Sequence, residues 1–396
     1  MSFRIGLLHE LLEARLIRRW RSKRYVCFGG AGAHGSVMLG MLACVAGADG
    51  ERFRAWRRGL KGIGGCSAGC LGAVCIAAGA DIRRILALNE AFPMAEIFPK
   101  DIALPNMTAQ SLVNGEIRGM MLGNSLRCVV LTALRGCGIP DDITIKQFSD
   151  RCGLDVRIIA TDLENARSMV FASHTTPEVK LADAMVASMS IPIMFEPLRI
   201  EPYGAFVDGG IVDSYGISLF PEANAAKDVL VFGKSASTER NLRASTITGI
   251  VATTVTIMTS MVLQVHRSCL LDVFVGLADA ESVAQTGVTQ TSGGFDLFSK
   301  SNVKMLFADG IASFRHQTTI ALCLLLLFVR ERSRERRRPP PGSPRKPPLG
   351  PSDSPLGPSD SPPVVASDSP PVVASDTPLG ASADRRARTK APWERD

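Results

Sequence analysis

The sequence predicts an α/β domain: a mainly parallel central sheet flanked by helices, followed by a disordered C-terminal tail. Three observations predict it. Between residues 25 and 210, short apolar runs that stop at glycine alternate with stretches of helical spacing, the order that builds a parallel sheet with crossover helices. Two of those stops are Gly-rich turns that lead straight into helices. Past Arg330 the composition changes to a degenerate Pro/Ser/Asp repeat of seven to eight residues, with too little apolar surface to fold.

The elements follow in order. Residues 1–24 set Ile5, Leu8, Leu12, Leu16 and Trp20 at near-helical spacing with arginines between them. That is an amphipathic helix, which packs on the domain or lies on a membrane, since both uses share the pattern. It has no uninterrupted apolar region and no cleavage site, so it is not read as a secretory signal. RYVCF (24–28) is a short buried strand, and GGAGAHGSVMLGMLACVAG turns through a Gly-rich loop into a helix. LKGIGGC is a second strand, stopped at Ser67 and followed by the helix AGCLGAVCIAAGA. Residues 81–150 are mostly helical in pattern, broken at Pro93, Pro99, Pro105 and Pro140. DVRIIA (155–160) is a third strand, and AFVDGG (205–210) ends another.

Residues 221–330 read as a mostly helical region packed on or following that domain, and 331–396 as the disordered tail. Ala244–Val265 carries no charge but is apolar on one side, the pattern of a packed helix. TTIALCLLLLFV (318–329) lies between Arg315 and Arg330. The apolar span reaches about 21 Å as a helix, short of the ~30 Å hydrocarbon core. It reads as a buried helix, with a membrane-contacting segment beside RERSRERRR as the other reading.

The net charge of +7 belongs to the ends. Residues 1–24 sum to +5 and 330–396 to +4, which leaves −2 for residues 25–329. Such ends suit an acidic partner such as an anionic phospholipid membrane surface or nucleic acid, or are solvated termini. Of the two acidic partners the membrane surface, not nucleic acid, is the one expected. None of the ten cysteines forms a CxxC pair, and no His/Cys cluster has zinc-ligand spacing. A reduced, intracellular setting is expected, cytoplasmic or at the membrane periphery.

Three pieces carry chemistry. The first is Gly65-Cys66-Ser67-Ala68-Gly69, a GxSxG at a strand-to-helix turn. A hydroxyl becomes a nucleophile only when exposed, oriented and deprotonated. The small flanking residues Gly65 and Gly69 permit a sharp elbow, and the helix N-terminus brings N–H groups nearby. Alone, the pentapeptide is equally a structural turn. The second piece is Gly30-Ala31-Gly32-Ala33-His34-Gly35, also between a strand and a helix. As GxGxxG it would be a dinucleotide fingerprint, but no acidic residue closes a strand about 20 residues on. As an oxyanion hole it would hold the tetrahedral intermediate formed by Ser67, where one donor is worth ~3 kcal/mol. The third piece is a base. Among five histidines, His266 and His316 fit the chain order of a Ser-Asp-His triad but do not follow strands. Asp208, between a strand end and Gly209-Gly210, is the better candidate, and burial would raise its pKa toward that of a working base.

With these pieces placed, the sequence resembles the patatin-like phospholipases, whose signature is a GGGx[KR]G loop, a GxSxG elbow and a DG[GA] motif in this order. Here they stand as GAGAHG (30–35), GCSAG (65–69) and DGG (208–210). IIATDLENARSMVF (158–171) looks like the family's ATDL strand, and PEVKLADAMVASMSIPIMFEPLRI (177–200) like its helix and SIP turn. The resemblance spans roughly 26–220. It implies a patatin-like three-layer fold and a Ser67–Asp208 dyad, with Ser67 as nucleophile and Asp208 as general base. Backbone N–H groups of the 30–35 loop, mainly Gly30, Ala31 and Gly32, would bind the oxyanion, with His34 and Gly35 completing the motif. The implied reaction is hydrolysis of fatty acyl esters of phospholipids, of phospholipase A type, with no cofactor and no metal. The alternative is a catalytically weak module of the same fold that binds lipid or a partner protein. Three departures stand beside the dyad: Ala31 replaces the loop's middle glycine, a cost if φ there is positive, His34 replaces the usual Lys/Arg, and VDSYG after DGG has Ser214 and Gly216 where the family often shows Asn and Pro.

Overall fold

The computed structural model describes residues 10–11, 14–15, 17–32, 35–91, 114, 119–223, 228–234, 274–278, 303–312 and 314–315. All belong to the first of two compact units, Met1–Arg338 and Pro339–Asp396. The expected tail, the helix at 244–265, the apolar run at 318–329 and His34 lie outside the described residues.

β1 (Tyr25–Phe28) is apolar at every position and leads through the glycine loop to α1 (Gly35–Ala46) and α2 (Gly50–Arg58). β2 (Gly62–Cys66) follows, fully buried, then α3 (Ala68–Ala77) and α4 (Ile82–Ala91). α5 (Asn124–Gly136) and α6 (Ile145–Cys152) precede β3 (Asp155–Asp162). α6 opens with a capping box, Thr144 and Gln147 each bonding the other's backbone N–H, and ends at Gly153 in the left-handed region. β4 (Arg167–Phe171), α7 (Leu181–Met189), β5 (Leu198–Ile200) and β6 (Gly204–Asp208) complete the segment that the sequence motifs span.

Eight strands form one sheet in the order β5-β6-β3-β2-β1-β7-β8, with β4 paired to β3 off this path, where β7 is Val229–Lys234 and β8 Phe274–Ala278. β3, β2, β1, β7 and β8 run parallel to one another, and β4, β5 and β6 supply the antiparallel pairings. Two expectations change here. The ATDL segment is a hairpin rather than one strand, because Asp162 accepts the N–H groups of Glu164 and Asn165 and turns the chain back. The mostly helical reading of 221–330 is corrected at β7 and β8, which extend the sheet on the free edge of β1. β7 holds the apolar run VLVF, the pattern of a strand buried on both faces.

Helices cover the sheet around a core that runs from Val26 and Phe28 through Val74 and Ile76 to Phe171 and Phe206. Helical residues 303–312 cross α1 where Gly40 and Gly310 let the two backbones touch: a Cβ on Gly310 would lie 2.1 Å from the Val37 carbonyl oxygen. Trp20, in the helical residues 17–21, meets Phe314 edge to face at 5.3 Å. Arg157 on β3 bonds Asp155, Glu222 and the Leu219 carbonyl, and so ties the chain after the DGG motif to the sheet.

One feature of strand pairing positions the site. Ile158 and Ile159 pair with β2 on one edge and β4 on the other. Ala160, Thr161 and Asp162 pair with β4 and β6. β2 and β6 therefore lie on the same edge of β3 and arrive from opposite directions. β2 ends opposite Ile159 and β6 ends opposite Ala160. Their ends abut.

Candidate active site

Ser67 is the residue at which β2 becomes α3. Its φ of 51° and ψ of −133° lie outside the ordinary regions for a side-chain-bearing residue, a conformation that costs on the order of 1–3 kcal/mol and that the surroundings must enforce. Gly69 allows the turn: a Cβ there would fall 2.3 Å from the Phe28 carbonyl oxygen and 2.5 Å from that of Gly29. Only a residue without a side chain lets the first turn of α3 rest on the end of β1. A Cβ on Gly65 would likewise strike the backbone of Cys70 at 2.6 Å.

The abutting strand ends bring Ser67 and Asp208 together. Ser67 Oγ donates to Asp208 Oδ2 at 2.5 Å. Asp208 Oδ1 accepts the Gly210 N–H at 2.7 Å, its carbonyl accepts Thr161 Oγ1 at 2.8 Å, and its own N–H donates to the Ser190 carbonyl at 2.8 Å. Four contacts fix both the side chain and the backbone of the carboxylate. Burial pushes the Asp208 carboxyl up to about 6, against the pull of the Ser67 and Gly210 donors. An acid with that value is ionised near neutrality yet basic enough to take a proton.

The thiols of Cys66 and Cys70 lie near this carboxylate, and burial first, then its charge, pushes both far upward. They stay protonated and do not compete as nucleophiles. His174 is the histidine among the described residues; it sits in the turn after β4, near Glu222. His266 and His316 lie outside the described residues. Among the described residues no group of three His, Cys, Asp or Glu side chains is placed to hold a metal ion.

The glycine loop differs from its sequence reading in one donor. Gly29 N–H donates to the Phe232 carbonyl and Gly30 N–H to the Ser214 carbonyl, each at 2.7 Å. Gly30 is thus corrected from oxyanion donor to anchor. Its Cα packs against the elbow, with a built Cβ 3.4 Å from that of Ser67. Among the described residues the N–H groups of Ala31 and Gly32 have no acceptor. Among the described loop residues the positive φ falls at Gly32, 50°, and not at Ala31, so the alanine in the middle position carries no left-handed strain. Gly35 opens α1. Gly209 lies against β3, where a Cβ would fall 2.3 Å from the Ile159 carbonyl oxygen.

Sequence reasoning passed over one residue. Ser188, fully buried on α7, accepts the Ser67 N–H at 2.8 Å and donates to the Ile159 carbonyl at 2.6 Å. The available signal was a lone hydroxyl on a helix, LADAMVASM, whose one other polar side chain is Asp183 in its first turn.

The family model for patatin-like phospholipases matches residues 26–221. This segment belongs to the patatin-like phospholipase family. A probable lipid hydrolase, 463L, of Invertebrate iridescent virus 6 is 23% identical over 119 residues, which are 29% of this chain and 41% of the viral protein. The match thus spans less than half the length of that relative. Among solved structures, VipD from Legionella pneumophila is similar at 15% identity with a TM-score of 0.39, over 74% of this chain and 67% of that one. The heterodimeric ExoU–SpcU complex of the Pseudomonas aeruginosa type III secretion system is similar at 15% identity with a TM-score of 0.31, over 80% and 64%. The patatin-like segment runs from β1 past the DGG motif, and β7 and β8 lie beyond it. Among the described residues no helix is long and apolar enough to cross a membrane.

Proposed function

We propose that this patatin-like chain is a lipid acyl hydrolase of phospholipase A type, acting on fatty acyl esters at a phospholipid membrane surface, with residues 25–220 as its catalytic domain. The observation that carries the reading is the 2.5 Å hydrogen bond from Ser67 Oγ to a buried carboxylate whose basicity burial has raised. Ser67 Oγ attacks the ester carbonyl as Asp208 takes its proton. The N–H groups of Ala31 and Gly32 receive the oxyanion. Collapse expels the lysolipid alcohol, which recovers the proton from Asp208. Asp208 then deprotonates a water that attacks the acyl-serine, fatty acid leaves, and Ser67 is restored. No step uses a metal ion or a cofactor. The basic segments at 1–24 and 330–338 supply the electrostatic contact with an anionic bilayer.

The test is fatty-acid release by the full chain from mixed phosphatidylcholine/phosphatidylserine vesicles in EDTA, beside Ser67→Ala and Asp208→Ala. Release by the unaltered chain, and a loss of about a thousandfold or more in each variant, is the expected result. Three inert proteins that still bind vesicles would make this a lipid-binding module instead.

A further inference from the structure

We propose that Ser188 is a positioning residue that sets the spacing between Ser67 and Asp208. The inference rests on the acyl-hydrolase reading of that pair. Its ground is the junction at which β2 and β6 meet on β3. Strand pairing alone does not join the two strand ends to each other, because β2 stops opposite Ile159 and β6 opposite Ala160. Ser188 fills the junction from α7. Its hydroxyl donates to the Ile159 carbonyl at 2.6 Å and accepts the Ser67 N–H at 2.8 Å. Its own carbonyl accepts the Gly209 N–H at 3.3 Å, and two residues on, the Ser190 carbonyl accepts the Asp208 N–H at 2.8 Å. One short stretch of chain therefore holds the backbone of the nucleophile through a side chain and the backbone of the base through two carbonyls.

The chemistry of the hydroxyl suits the place. A hydroxyl is donor and acceptor at once, so Ser188 bridges a carbonyl and an N–H on neighbouring strands. Alanine leaves both of those groups buried and unpaired. Ser67 cannot compensate with a regular helical or strand bond, since its φ of 51° and ψ of −133° belong to neither. Without the bridge the elbow is free to relax from that conformation, and Oγ withdraws from the carboxylate. The Ser67 donor is one of the two groups that hold the Asp208 carboxyl down against burial. Weakening it moves the Asp208 titration upward, an effect that a general loss of stability would not produce.

The experiment compares the full chain with Ser188→Ala and Ser188→Thr on a water-soluble nitrophenyl fatty ester, measuring kcat, KM and the pH profile of each. Expected for Ser188→Ala are a roughly 10–100-fold loss in kcat, a KM within about twofold, and a pH midpoint moved upward. Ser188→Thr keeps the hydroxyl and is expected to recover most of kcat and the original midpoint. If Ser188→Ala does not fold, Ser188→Cys, of similar size but a weaker hydrogen-bonding group, is expected to show the same two changes in smaller degree. Unaltered kcat, or a loss with the midpoint in place, overturns the proposal. An unaltered chain that releases no nitrophenol overturns the hydrolase reading itself, and the two failures are thereby told apart.

Discussion

Ser67 and Asp208 are hydrogen-bonded at 2.5 Å although 141 residues separate them, and they meet because two strands running in opposite directions end on adjacent residues of β3. In the proposed reaction, a serine on a flexible loop would have to find its base afresh in each cycle. Here the sheet itself aims the pair, and the strain at Ser67 is held by hydrogen bonds and close backbone packing. The measurable consequences lie in pH, in stability and in the glycines that let the strand ends approach.

The pH profile follows from the carboxylate. In the proposed mechanism Asp208 must be ionised to accept the Ser67 proton, and burial places its titration at about 6. kcat/KM is expected to fall about tenfold per pH unit below that value and to level off above about pH 7. A profile flat between pH 5 and 8 would show that another group takes the proton. Steady-state kinetics on the soluble ester give the answer directly.

The same burial makes Asp208 a cost to the fold. Its folded value of about 6 lies above the ordinary 3.8, so the folded protein binds the proton more tightly than the unfolded chain. The associated stability is fully present below about pH 3.8 and is lost as pH rises through about 6. Asp208→Asn removes the ionisation. It is expected to unfold at the same temperature as the unaltered chain near pH 4 and to be more stable above pH 6, by up to about 3 kcal/mol. Thermal unfolding at pH 4 and pH 7.5 measures the difference.

Much of this was legible in the sequence, for physical reasons. Ser67 and Asp208 stand beside glycines that the close approach of backbones demands, and glycine spacing is visible in a linear text. The role of Gly30 was not, because its N–H is taken by the Ser214 carbonyl, some 180 residues away. β7 was hidden for a similar reason: four apolar residues read equally as helix or strand until their pairing with β1 decides. Ser188 looked like filler on a mostly apolar helix, and only the strand junction beneath it gives its hydroxyl a purpose.

Two glycine substitutions separate close approach from backbone conformation. Gly69→Ala drives a methyl into the Phe28 and Gly29 carbonyls at 2.3 and 2.5 Å. It is expected to cost about 3 kcal/mol or more and to abolish hydrolysis, since the elbow and the glycine loop are forced apart. Gly32→Ala meets nothing within 4 Å and carries only the strain of φ +50°, about 1 kcal/mol. Its N–H is kept, so activity is expected to survive at a reduced level. Chemical denaturation and turnover on the same preparations test both statements.

Restoring glycine in the middle of the proposed oxyanion loop is the sharpest test of how that loop works. From the motif alone, Ala31→Gly would be a repair and should raise activity. The structure argues the reverse. Ala31 is not among the residues with positive φ, and its side chain is buried with only 8% exposure, in the same cluster as Phe28 and Val37. Removing that methyl loses packing and loosens the backbone whose N–H is proposed to meet the oxyanion. The expected outcome is a loss of about 1 kcal/mol in stability and no gain in kcat. A several-fold rise in kcat on Ala31→Gly would mean that the loop takes up a different, left-handed conformation at residue 31 when substrate is bound.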